Sequence, residues 1–157
     1  MTHLWFRVFG AAGAAPEPGV ILEQAQSANK DIWASFRSDD EGWYQAELIL
    51  SPENAPALSV LLERYLAREE GIRPQLNTWA AWLETMAENP NHAWLMEAVV
   101  QTQQLFTLQC PSEDEPRTQL EPVCLAVSRF LARQTRGVYQ VDGQGFFAAD
   151  GKLLVAE

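Results

Sequence analysis

Two runs of alternating residues, joined by a short acidic turn, constrain this chain more than any other stretch. In the first, Ile32, Ala34 and Phe36 alternate with Trp33, Ser35 and Arg37. After Asp39-Asp40-Glu41-Gly42 comes the second, Trp43-Tyr44-Gln45-Ala46-Glu47-Leu48-Ile49-Leu50. A period of two sends successive side chains to opposite faces of a strand, and a polar link with glycine turns the chain back. Residues 31–37 and 43–50 therefore read as a β-hairpin.

The other elements follow from similar patterns. Residues 4–9 are β-formers with aromatics, stopped by Gly10, and read as a strand. The Ala/Gly/Pro stretch 10–19 reads as a loop and 20–29 as a short helix. Over 57–70, Leu58, Leu61, Leu62, Tyr65 and Leu66 fall on one helical face, with Glu63, Arg64, Arg68, Glu69 and Glu70 on the other. The spacing predicts a helix ended by Gly71. A second helix is expected over 77–88, with Asn77 as its cap and Trp79, Trp82, Leu83 and Met86 on one stripe. Residues 92 to about 103 read as helix, 104–109 as strand, and Pro111 to Pro116 as an acidic loop. A last helix over 120–135 is expected to start at 121–122, because Pro122 suits a first helical position. A hairpin, 138–141 with 146–148, and a terminal strand, 152–155, complete the order.

The fold expected from this order is α+β, with a mostly antiparallel sheet and a helical insert (about 55–102) packed on it. Strand, helix, strand, turn, strand occurs near both ends, so 4–50 and 104–155 read as two βαββ units within one domain, 1–157. At 157 residues such a chain buries roughly 70% of its unfolded surface without staples.

Charge narrows the range of partners. Twenty-one acidic and 11 basic residues give a net charge of -10. A phosphate backbone needs a Lys/Arg patch, and only Arg129, Arg133 and Arg136 come near to one, so nucleic acid is not expected. A basic protein surface suits this field. Cys110 and Cys124 are the only cysteines; their number and spacing fit a reducing compartment. The apolar run Leu4–Phe9 is short and interrupted by Arg7, which argues for a buried strand over a signal peptide. No stretch has the ~18 apolar residues of a membrane span, and the expected setting is the cytoplasm.

No motif names a reaction. Gly10-Ala11-Ala12-Gly13 lies between a strand and a helix, as a phosphate-binding turn does, but lacks the G-x-G-x-x-G spacing and reads as a flexible connection. His3 and His92 are the only histidines, and no local pair of ligands marks a metal. Neither metal nor cofactor is expected. Arg64, Glu69, Arg73, Tyr139 and Asp142 are polar residues near element ends, but nothing in the sequence converges them into an active site. Six tryptophans are more informative. If Trp33 and Trp43 share the solvent face of the hairpin, they form an aromatic-acidic patch with Asp39, Asp40, Glu41 and Tyr44; the other reading packs them under the helical insert.

The function expected from these features is protein binding without catalysis, in the manner of an acidic inhibitor that covers a basic partner surface. Bacterial toxin-immunity proteins are an analogy of that kind. Two alternatives stay open: a small enzyme with a site outside known motifs, and an oligomer pairing through 43–50 or 152–155 at a sheet edge.

Overall fold

A computed structural model of the chain describes residues 3–86 and 89–157. Strand β1 (His3–Gly10) leads through helix α1 (Pro18–Ala28) to β2 (Trp33–Asp39), β3 (Gly42–Leu50) and β4 (Leu58–Leu66). Helices α2 (Ile72–Glu84) and α3 (His92–Val100) follow. Next come β5 (Gln104–Pro111), α4 (Asp114–Gln134), β6 (Val138–Val141), β7 (Gly145–Ala148) and β8 (Leu153–Ala156). The strands form one sheet in the order β2-β3-β4-β5-β1-β6-β7-β8, and each of its pairings is antiparallel. The α+β class and the mostly antiparallel sheet are as the sequence predicts. No helix among the described residues is long and apolar enough to cross a membrane.

The central strands β1 and β5 pair along their whole length, His3 opposite Pro111 and Gly10 opposite Gln104. Helices α1 and α4 pack on each other and cover one face of the sheet. There Phe6, Val8, Leu48, Leu62, Phe106 and Leu108 meet Ile21, Val123, Val127 and Leu131. Helices α2 and α3 cover the other face only toward the second half of the sheet, where Leu76, Leu83, Leu95 and Val99 pack with Phe9, Leu105, Val138 and Phe146. On β2 and β3 that face has no helical cover among the described residues, and Trp33, Ser35, Arg37 and Glu47 are exposed.

Three expectations are corrected. Residues 57–70 are not a helix: Leu58–Leu66 is a strand hydrogen-bonded to β3 on one side and β5 on the other. Leu58, Val60 and Leu62 keep a period of two even as Leu58, Leu61 and Leu62 mark a helical stripe, and Val60 and Leu62 are buried while Ser59 is exposed. Pairing on both sides decides between the two patterns. The helical insert shrinks to α2 and α3 accordingly. Gly71, with φ +86, precedes α2 rather than ending a helix, and α2 starts five residues before Asn77. Of the helix expected over 77–88, residues 87 and 88 lie outside the described residues. Finally, α4 begins at Asp114, so the expected acidic loop shrinks to residues 112 and 113 between the end of β5 and the first helical turn, where Asp114 and Glu115 complement the helix dipole. Pro122 sits inside this helix.

The strand assignment has a direct test. Leu62→Ala is expected to lower the unfolding free energy by about 2–5 kcal/mol, and Ser59→Ala to change it by less than about 0.5 kcal/mol, both read by urea denaturation.

Candidate functional site: an acidic cleft beside a buried arginine

The turn between β2 and β3 is shaped by its own residues. Asp39 Oδ1 accepts the Glu41 N–H at 2.8 Å, an Asx turn. Gly42 has φ +105, and a Cβ there would stand 3.1 Å from Ala15 Cβ and 3.4 Å from Arg64 Nη1. Glycine lets the turn adopt this backbone and lie close to the arginine.

Arg64 is 5% exposed. Its Nε donates to Gln104 Oε1 at 2.6 Å, its Nη1 to the carbonyls of Glu41 at 3.2 Å and Trp43 at 3.0 Å, and its Nη2 to Gly13 O at 3.3 Å. Gln104 Nε2 donates onward to the carbonyls of Ala12 and Ala14. Among the described residues no carboxylate forms an ion pair with Arg64. Burial lowers its pKa, and the fields of Asp39, Glu69 and Glu41 pull the other way.

This network also fixes the Ala/Gly loop. The N–H groups of Ala11 and Ala12 both donate to Thr135 O at 2.9 Å, and Pro16 O accepts from Trp43 Nε1 at 2.7 Å. The segment expected to be a flexible connection is tied down. Two of the amides that a phosphate cradle would use are already bonded.

Beside Arg64 opens a cleft of about 340 Å³. Its lining includes four carboxylates, on Asp39, Glu41, Glu63 and Glu69, and two aromatic rings, on Tyr44 and Tyr65. Arg68, at the rim, forms an ion pair with Glu41, which raises the Arg68 pKa. The Glu69 carboxylate accepts the Leu66 N–H. Burial, and next the neighbouring Glu63 carboxylate to which Tyr65 is hydrogen-bonded, push the Tyr65 phenol up to about 12. Tyr65 therefore keeps its proton at neutral pH. Among the described residues no imidazole, thiol or aliphatic hydroxyl lines the cleft. Its carboxylates and ring faces suit a cation.

The residues singled out from sequence divide. Asp39, Glu41 and Tyr44 line the cleft, and Asp40 is exposed in the adjoining turn. Trp33 is 51% exposed but lies at the opposite end of β2. Trp43 is 2% exposed and packs edge-on to Phe36, in the core and away from Trp33. The cause is a bulge: Arg37 pairs with Gln45 and Ser38 with Trp43, leaving Tyr44 unpaired. One extra residue turns Trp43 to the face of Ala46 and Leu48. Trp43 and Trp33 thus form no shared patch.

Of the five polar residues near element ends, only Arg64 and Glu69 meet at the cleft. Arg73 bonds the Val100 carbonyl, the Tyr139 hydroxyl accepts from Arg129 Nε at 3.1 Å, and Asp142 pairs with Arg7 at 2.6 Å. His92 Nε2 contacts the Leu83 carbonyl, and His3 is exposed. Among the described residues no three His, Cys, Asp or Glu side chains are grouped to hold a metal ion. Sequence reading missed Glu63, Tyr65 and Arg68 because a helix over 57–70 separates Tyr65 from Glu63 and Arg68 and places none of them beside the 39–44 turn; the alternation of Leu58, Val60 and Leu62 was the signal available.

Two outcomes are expected of the site itself. Arg64→Leu strands the carbonyls it serves, and each buried acceptor left unpaired costs about 1–3 kcal/mol; thermal unfolding should show a loss of at least that size. The Tyr65 phenol binds its proton more tightly folded than unfolded, so stability is fully present below pH 10 and falls as the pH rises from 10 toward about 12. Tyr65→Phe should flatten that decline in denaturation measured across the same range. No protein-family model, curated protein or solved structure matches the chain, and the cleft is interpreted from its own geometry.

Proposed function

We propose that this chain is a protein-binding domain without catalysis of its own, and that the cleft receives a basic side chain from a partner's surface. The observation that carries the reading is the composition of the cleft. Four carboxylates and two tyrosine rings surround one accessible guanidinium, and Glu41 already engages that one. The net charge of -10 adds a field that draws basic surfaces and repels nucleic acid. An inhibitor that covers a basic partner is the specific form this suggests. A cytoplasmic setting accords with Cys110 and Cys124 being free and buried.

A hexa-arginine peptide is the direct probe. Titrated at low ionic strength, it should shift the NMR signals of Glu41, Tyr44, Glu63 and Tyr65, and the binding should fade at about 0.5 M salt, where the screening length falls to only a few ångströms. Glu41→Gln and Glu63→Gln should each weaken it by about 1 kcal/mol, roughly fivefold in Kd. Shifts spread evenly over all acidic residues, or binding untouched by these substitutions, would count against the cleft.

A further inference from the structure

The two edges of the sheet are built differently. Strand β8 is four residues long, and its pairing with β7 is broken by a bulge. Short, irregular edges of this kind discourage pairing. Strand β2 is seven residues long, pairs regularly with β3 from Trp33 to Arg37, and among the described residues has no strand on its other side. It contains neither proline nor lysine. Its outward face carries Trp33, 51% exposed, and Arg37, which is exposed and whose side chain has no hydrogen bond, ion pair or ring contact among the described residues. Strand 43–50 is interior, flanked by β2 and β4, so it is not available for pairing.

We propose that β2 pairs antiparallel with β2 of a second copy of this chain, about a two-fold axis at Ser35. A two-fold perpendicular to the sheet keeps each face continuous, so residues opposite one another have the same parity. The register that uses the whole regular stretch places Ser35 against its own copy. Trp33 then lies opposite Arg37 of the other chain, twice over, and Ala34 lies opposite Phe36. Cross-strand neighbours have Cβ atoms about 4.5–5.5 Å apart, close enough for a guanidinium to lie on an indole face. On the inner face a small residue meets a large one. The like charges of the two Arg37 side chains are kept apart. The Trp33 and Arg37 side chains thus complete each other across the axis, which no contact among the described residues of one chain does. This interface stands independently of the cleft.

The charge of -10 on each copy opposes association, so salt should strengthen the pairing, the reverse of its effect on the cleft. Light scattering on the intact chain at high protein concentration and about 0.5 M salt is expected to give twice the 17.6 kDa of one chain. Ser35→Cys places two thiols across the axis at a Cα separation of about 4.5–5.5 Å, within disulfide range. Mild oxidation should therefore give a covalent dimer, whereas Ser59→Cys, equally exposed on β4, should not. The native thiols are buried and do not compete. Ser35→Lys sets two charges face to face and should return the mass to one chain. A single-chain mass throughout, equal cross-linking of the two cysteine variants, or a doubled mass that survives Ser35→Lys would each overturn the proposal.

Discussion

Arg64 joins three segments that are distant in sequence. Its guanidinium reaches the 11–16 loop, the β2–β3 turn and, through Gln104, the start of β5. Each acceptor is a neutral oxygen, and the nearby carboxylates act on it only through their fields. A direct ion pair would place a carboxylate where Gln104 sits and would desolvate a second charge. With amide and carbonyl partners, the planar fork of donors fixes direction at several points. The acids stay at the cleft, partly hydrated and free to meet a ligand. Rigidity of the walls and openness of the charged groups come from the same choice of partners.

Much of the sheet was legible because alternation is clear where one face is covered and the other is wet. On β2, Ala34 and Phe36 face the core while Trp33, Ser35 and Arg37 face solvent. Near Trp43 the same pattern misleads. A bulge is a one-residue insertion with no fixed residue signature unless glycine marks it, and past Tyr44 every parity argument reverses. Half of the expected patch survives, since Asp39, Glu41 and Tyr44 reach the cleft, while the second tryptophan goes to the core.

The strand at 58–66 was hidden for a different reason. Leu61 and Leu62 are adjacent, and both are partly or fully covered. Two neighbouring leucines occupy one helical stripe but opposite faces of a strand, so the pattern fits either structure. Its partners decide, and one of them, β5, lies some forty residues further along the chain. No local window contains that information. The same absence concealed the cleft, since Glu63, Tyr65 and Glu69 converge with Asp39 and Glu41 only once β4 lies beside β3.

The exposed edge follows from how the halves are threaded. The order strand, helix, three strands occurs twice, yet the two occurrences are laid down differently. From β5, helix α4 crosses a single strand to place β6 beside β1. From β1, helix α1 crosses to the far side of the sheet, and β2, β3 and β4 step back toward the centre. The first three-strand run is long, at seven, nine and nine residues, whereas the second uses four residues in each strand. Helices α2 and α3, which emerge from the end of β4, pack over the second half, where short strands need both faces covered. The long strands are held by their ladders and by α1 and α4 on one side only. That division of cover leaves a solvated face, a regular outer strand and an acidic cleft together in the half of the sheet whose alternation was easiest to read.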